Sequence, residues 1–427
     1  MLLRVCMAPG VVQLLDRRHS NNVCTFSRHP EWPLSISVSA LIAEGWRPTP
    51  FRNFVLKLHS RCDLACDYCY MYEFADQTWR GRPRAMTQDI IDAISMRIAD
   101  HAGLHGLSSV AVVLHGGEPL LAGPELIAYA VHSIREHVDQ STTVDFSIQT
   151  NAVRLDSRYL ELLARLGVGI GVSLDGDQIA HDRHRRTPTG RGSHAAVISA
   201  LRKLSAPAYK HLFRGLLCVV DLRNDPLVTY RELLRFDPPV IDFLLPHGTW
   251  ESPPPGRDSD HGSAYADWLI PLFDLWYKKP GQTTWVRLFG EIICLILGGE
   301  SHHEALGLSP RHTLVVETDG SIEQSDMLKV AFHDASHLGL HVLRDPFDSA
   351  LHEPTTVAQQ IGRAALAEAC LSCAVHMVCG AGLYAHRYRQ GTGFLNPSVY
   401  CPDLFRLITH IRDTMTADLG IRRAERR

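Results

Sequence analysis

Seven of the eleven cysteines in this 427-residue chain lie in two groups whose spacing could hold metal. Cys62, Cys66 and Cys69 sit in the stretch HSRCDLACDYCYMYE with the spacing C-x3-C-x2-C. A [4Fe–4S] cluster takes four thiolates, so three on one tight loop leave one iron open to a small molecule bearing an amino and a carboxylate group. Zinc is the rival occupant, but it prefers four protein ligands, usually as paired C-x2-C knuckles. The second group, Cys370, Cys373, Cys379 and Cys401, reads C-x2-C-x5-C with a distant fourth member. Those four thiolates suffice for one complete [4Fe–4S] cluster, with zinc again the alternative. Cys6, Cys24, Cys218 and Cys294 are scattered and read as structural or incidental.

Polar motifs accompany the first cysteine group. His115-Gly116-Gly117-Glu118-Pro119 ends one apolar run, Gln149-Thr150-Asn151 the next, and Ser173-Leu174-Asp175-Gly176 a third, followed by Asp182 and Arg185. Glycines let backbone groups approach a ligand closely, and Glu118 can accept a bond from an ammonium. Taken singly, these residues are also ordinary turn formers. Together with the open iron they point to S-adenosylmethionine (SAM). SAM chelates that iron through its amino and carboxylate groups, and one electron from the cluster breaks the S–C5′ bond to give a 5′-deoxyadenosyl radical. The cofactor carries the hard chemistry, and the protein supplies binding and exclusion of water.

The elements that must position these groups alternate regularly. Strand-like runs at Asn53–His59, Ser109–His115, Val144–Thr150, Val168–Leu174, Gly215–Val220 and Ile241–Leu245 are separated by helix-period segments near 87–102, 124–138, 156–166, 192–204 and 226–235. Parallel neighbours need a crossover, so the pattern predicts an α/β fold with an open, partial (β/α)6 TIM-type barrel over 51–248. Every polar motif then falls at a strand's C-terminal end, where barrel enzymes place their sites. Residues 1–50, with Pro30, Pro33, Pro48 and Pro50, read as a partly disordered arm. ESPPPGRDSDH opens a linker and two bridging helices over 249–305, and 306–427 read as a small cysteine-clustered domain. The net charge of −3 and the absence of a basic block predict no nucleic-acid partner. No run of about 18 apolar residues appears, so no membrane span is expected. The N-terminus lacks a signal-peptide pattern, and the expected location is cytoplasmic.

These motifs resemble radical SAM enzymes with SPASM or twitch-type C-terminal domains, over roughly residues 51–410. The resemblance implies SAM contacts at Tyr68, Gly116, Gly117, Glu118, Asn151, Ser173, Asp175 and Arg185. It also implies two [4Fe–4S] clusters rather than three. Ser325 stands where a G-x4-C element would place a cysteine, and Leu383 stands four residues after Cys379, so the first auxiliary site is lost. Asp326 follows that lost ligand, and in related sulfatase maturases an aspartate there is the general base. His333, His337 and His341 read as surface or packing residues. Tyr384, His386, Arg387 and Tyr388 are candidate peptide or cluster-shell contacts. FVLKLHSRCDLACDYCYMYEFADQTWRGRP, VVLHGGEPLLAGP, VSLDGDQIAHDRHRR, VVETDGSIEQSDMLK and CGAGLYAHRYRQGTGFLNPSVYC resemble FxsB-type peptide maturases. That likeness implies three-residue cyclophane formation in a ribosomally made precursor peptide, with a flavodoxin or ferredoxin as electron donor. The rivals are Ser/Cys oxidation of the sulfatase-maturase kind, thioether formation, and a zinc-stabilised binding protein without catalysis.

Overall fold

A computed structural model describes residues 32–425 apart from 258–261, 280, 282 and 302. Most of the expected N-terminal arm lies outside the described residues. Its last part carries a short helix, α1 (Val38–Ala43), capped by the Ser37 side chain, which accepts from the Ala40 amide.

From residue 53 the chain alternates as its hydrophobic periods dictate: β1 (Asn53–His59), α2 (Gln88–Leu104), β2 (Ser109–Gly116), α3 (Pro124–His137), β3 (Thr143–Thr150), α4 (Ser157–Leu166), β4 (Gly169–Ser173), α5 (Gln178–His184), α6 (His194–Leu204), β5 (Phe213–Val219), α7 (Pro226–Leu234) and β6 (Val240–Leu244). The six strands pair in parallel in sequence order. Helix starts are set by polar caps. Thr87, Asp156, Asp177 and Asp225 each accept a bond from an amide in the first turn of their helix. In β1, Phe54, Leu56 and Leu58 point outward into the core beneath the helices, and the alternate residues Val55 and Lys57 point inward.

After β6 come α8 (Ala264–Tyr277), β7 (Trp285–Val286), α9 (Arg287–Ile296), β8 (Thr313–Val316), β9 (Ser321–Glu323) and β10 (His337–His341). The ten strands form one open sheet in the order β10-β9-β8-β1-β2-β3-β4-β5-β6-β7. β8 runs parallel to β1, so the sheet continues across the boundary expected near residue 305. The segment after residue 305 is thereby joined to the first barrel strand. The chain's last described element is a long helix, Cys401–Glu425. No described helix is long and apolar enough to cross a membrane.

Candidate active site

The cysteine loop leaves β1 at its C-terminal end and is pinned by backbone packing. A Cβ on Gly117 would lie 1.8 Å from Tyr72 Oη and 2.6 Å from the Arg61 carbonyl, and one on Gly116 would lie 2.3 Å from the His59 carbonyl oxygen. Only glycine lets β2 end so close to the loop. Within the loop, Cys62 Sγ receives the Leu64 amide at 3.4 Å and Asn151 Nδ2 at 3.5 Å. Asn151 Nδ2 also donates to Asp63 Oδ1 at 2.9 Å. Burial pushes all three thiols up, Cys69 to about 11. A metal reverses that cost, because it binds the thiolate.

The sequence-identified residues converge at the strand ends. Tyr68 donates to Asp175, Arg185 Nη1 donates to Tyr68 Oη at 3.0 Å, and Asp175 Oδ1 accepts from the Val219 amide at 3.0 Å. Ser173 Oγ accepts from Gln149 Nε2 at 3.2 Å. Glu118 is 1% exposed. Its carboxylate accepts from the Leu120 amide (3.0 Å), Thr150 Oγ1 (2.7 Å) and the Asn151 amide (2.8 Å). It therefore ties the end of β2 to the end of β3, and burial pushes it up to about 7 against those three donors. An ammonium reaching Glu118 has to share an oxygen already in use.

Asp326, from a different part of the chain, points into the same lumen. It accepts from Lys57, which is fully buried on β1, and from Tyr70 Oη at 2.9 Å. Lys57 Nζ also lies 3.1 Å from His115 Nδ1. Burial favours the protonated acid, but Lys57, His115 and Tyr70 outweigh it and hold the Asp326 carboxyl well below the usual range. Burial, then Lys57, push His115 down to about 4, so it is neutral and offers Nδ1 as an acceptor. Lys57, Tyr70 and His247, whose ring meets that of Tyr70 at 5.0 Å, were not singled out from the sequence. Lys57 did leave a signal, as the one charge in the apolar run FVLKL.

A buried ionic network holds the turn that carries Asp326. Lys329 Nζ meets Glu323 at 2.9 Å, Glu317 at 3.0 Å and Asp76 at 3.5 Å. Arg82 reaches Glu323 at 2.5 Å and Asp319 at 2.9 Å. This ties the segment after the cysteine loop to β8 and β9.

The second cysteine group lies in short helical turns, with Cys401 heading the last helix. The four thiols are near enough to feel one another's charge: burial first, then its fellow cysteines, push up Cys370, Cys379 (to about 12) and Cys401. Buried Arg387 adds a cation beside Cys379 and Cys370. Among the described residues, neither group gathers three sulfurs within 4.8 Å of one another. A tetrahedral zinc with bonds of about 2.3 Å holds its sulfurs about 3.8 Å apart, whereas a four-iron cluster carries each thiolate on a different iron. Three thiols on one loop and four in the second group match in number a cluster with one open iron and a complete cluster.

At Ser325, Oγ accepts from Arg311 Nη2 at 3.1 Å, and Arg311 pairs with Glu304. Beside them lies a cavity of about 370 Å³ lined by Leu383, Arg311, His247, His386 and Met327. His247 Nδ1, Arg311 Nε, Glu304 Oε2 and His386 Nε2 are buried polar atoms without a hydrogen-bond partner among the described residues. A polar occupant would satisfy them.

A parallel barrel, three thiols at its mouth and glycine-backed strand ends define a radical SAM enzyme, and the radical SAM superfamily model matches residues 56–216. More particularly, the chain is similar to SPASM-type maturases over most of its length. It is 26% identical over 282 residues to a cysteine-type anaerobic sulfatase-maturating enzyme of Clostridium perfringens (strain 13 / Type A), covering 65% of this chain and 74% of that one. It is 26% identical over 373 residues to the serine-type enzyme of Klebsiella aerogenes, covering 84% and 86%. The structure of native anSMEcpe with bound AdoMet superposes with a TM-score of 0.75 at 21% identity, over 86% of this chain and 99% of that one. Streptococcus suis SuiB bound to precursor peptide SuiA superposes with a TM-score of 0.55 at 14% identity, over 84% and 78%. SAM and [4Fe–4S] clusters are the cofactors of this group.

Proposed function

We propose that this chain is a peptide maturase that joins an aromatic ring carbon to the β-carbon of a residue two positions downstream, closing a three-residue cyclophane in a ribosomally made precursor. Cys62, Cys66 and Cys69 hold the SAM-binding cluster, and Cys370, Cys373, Cys379 and Cys401 hold one auxiliary cluster. Tyr68, Gly116, Gly117, Glu118, Asn151, Ser173, Asp175 and Arg185 form the SAM cradle. The small cysteine domain spans 306–427. A flavodoxin or ferredoxin supplies electrons, in a cytoplasmic setting.

Bound there, the cluster and SAM supply a 5′-deoxyadenosyl radical that takes a hydrogen atom from the substrate β-carbon. The chain's own part is positional and protic. The Tyr68–Asp175–Arg185 contacts fix the loop against β4. The unsatisfied polar atoms of the 370 Å³ cavity accept a segment of peptide beside the lumen. Asp326, ionised and pinned by Lys57 and Tyr70, takes the proton that the ring loses once the new bond has formed, and the accompanying electron would leave through the auxiliary cluster held by Cys370, Cys373, Cys379 and Cys401. The observation that carries this reading is that low-lying carboxylate in the lumen. It can take a proton from an oxidised ring, which is a strong carbon acid.

The relatives favour a second reading, oxidation of a serine or cysteine on a sulfatase. Coexpression with the peptide encoded beside this gene separates the two. Cyclophane formation removes two hydrogens, gives no aldehyde on hydrazine trapping, and makes the three residues resist fragmentation as one block. An aldehyde-bearing product establishes the second reading, and a thioether between intact residues excludes both.

A further inference from the structure

One cluster of ligating side chains takes no part in this chemistry. His101 and His105 lie one turn apart at the end of α2, and Asp348, in the turn Phe347–His352, faces both. His101 Nδ1 is 2.7 Å from Asp348 Oδ2, and His105 Nε2 is 2.6 Å from Asp348 Oδ1. The three ligand atoms lie within 4.8 Å of one another.

The surroundings of His101 pose a proton-counting problem. Its Nδ1 faces a carboxylate, and its Nε2 lies 3.2 Å from the Phe51 carbonyl oxygen. Both partners only accept. A neutral imidazole has one N–H, so one contact lacks its proton. The doubly protonated ring would satisfy both, but His101 is 1% exposed, and burial disfavours the charged form. A cation at Nδ1 resolves the conflict. Nε2–H then donates to the Phe51 carbonyl, the outer contact that metal-bound histidines regularly make. Histidines at i and i+4 share one helix face and serve as paired ligands in that spacing. Two imidazoles and a carboxylate suit zinc.

We propose that His101, His105 and Asp348 form a zinc site, with water in the fourth position, that staples α2 to the Phe347–His352 turn. Tetrahedral ligands with bonds of about 2.0 Å stand about 3.3 Å apart, so metal entry replaces two hydrogen bonds and opens the triad by about half an ångström. Phe54 and Phe347 stack at 5.3 Å beneath it, already joining the two segments. The site lies at the start of β1, whereas the cysteine loop leaves its end. A seven-residue strand separates them by on the order of 20 Å, so this proposal and the maturase reading fail independently.

The test uses the reconstituted holoenzyme, exchanged against zinc and then desalted. Elemental analysis should give one zinc per chain beyond the cluster iron. Zinc-edge X-ray absorption should show only nitrogen and oxygen neighbours, at about 2.0–2.1 Å. His105→Gln, at a half-buried position, and Asp348→Asn should each lose the zinc and keep the iron and its visible absorption. Added zinc should raise the melting temperature of the parent and not of His105→Gln. A zinc-free parent that added zinc does not stabilise would show that the triad is a hydrogen-bonded ion pair, and would overturn the proposal. So would zinc retained by His105→Gln, or a sulfur shell near about 2.3 Å, which would place the metal at the cysteines.

Discussion

Replacing Asp326 with asparagine keeps the side chain's shape and removes its charge. Lys57 Nζ is then left buried, with His115 Nδ1 and Met71 Sδ as its other neighbours and, among the described residues, no carboxylate in ion-pair contact. Breaking a buried pair from one side costs about 3–5 kcal/mol. The same change deletes the proposed proton acceptor. General-base assistance is worth about 10²- to 10⁴-fold, or about 2.7–5.4 kcal/mol at ~1.36 kcal/mol per decade. The two effects are separable. In Lys57→Met/Asp326→Asn neither charge is buried alone, so most of the lost stability returns, while crosslinking stays down. The readouts are thermal unfolding for stability and, for chemistry, crosslinked peptide formed per 5′-deoxyadenosine released. Asp326→Asn should still cleave SAM and should lower that ratio. The sign of the pH effect is set by the depressed carboxyl. Its stabilisation is fully present above the ordinary carboxylate value and is lost only as pH falls through its own lower one, so the pair's contribution is constant between about pH 5 and 8. A parental ratio in both variants would refute Asp326 as the base. An undiminished melting temperature for Asp326→Asn would refute the buried pair.

Lys329→Met removes the cation within 3.0 Å of Glu317 and Glu323 and leaves the two buried carboxylates to share Arg82, 2.5 Å from Glu323 and 3.9 Å from Glu317. It should destabilise the chain by about 3–5 kcal/mol in chemical denaturation. Gly117→Ala drives a Cβ into the Arg61 carbonyl and Tyr72. It should cost about 1–3 kcal/mol and suppress SAM cleavage, which quantifying 5′-deoxyadenosine would show. The parent should hold about eight irons, four per cluster, and Cys370→Ser/Cys373→Ser about four, with SAM cleavage retained. About twelve irons in the parent would mean that the first auxiliary site persists despite Ser325 and Leu383.

The six-unit barrel was legible because its strands are apolar runs and its helices keep a clear period. The residues meant to meet at its mouth follow strand ends, and strand ends are readable. Several helices escaped that reading, two of them instructive. α5 spans only seven residues, too few to display a period, and the Cys401–Glu425 helix has its apolar and polar residues poorly segregated. The continuity of the sheet was also hidden, since β8 is four residues long and its pairing with β1 bridges some 260 positions of sequence. Long-range side-chain pairings were least accessible. Nothing local to Lys57 announces Asp326, and nothing local to Lys329 announces Asp76. The bonds that hold Glu118 were hidden for the same reason. GGEP marks the turn, but only the fold shows Thr150 and Asn151 already occupying its carboxylate.

The central claim is that the Cys62–Cys66–Cys69 loop drives radical chemistry on a peptide. The direct measurement incubates the reconstituted, reduced enzyme anaerobically with SAM and the neighbouring-gene peptide, and follows 5′-deoxyadenosine by chromatography and the peptide by tandem mass spectrometry. Matched amounts of 5′-deoxyadenosine and of a peptide lacking two hydrogens are expected, with both absent when Cys62, Cys66 and Cys69 are replaced together by alanine. Undiminished 5′-deoxyadenosine from that triple variant, or SAM cleavage by the parent with every candidate peptide left unchanged, would contradict it.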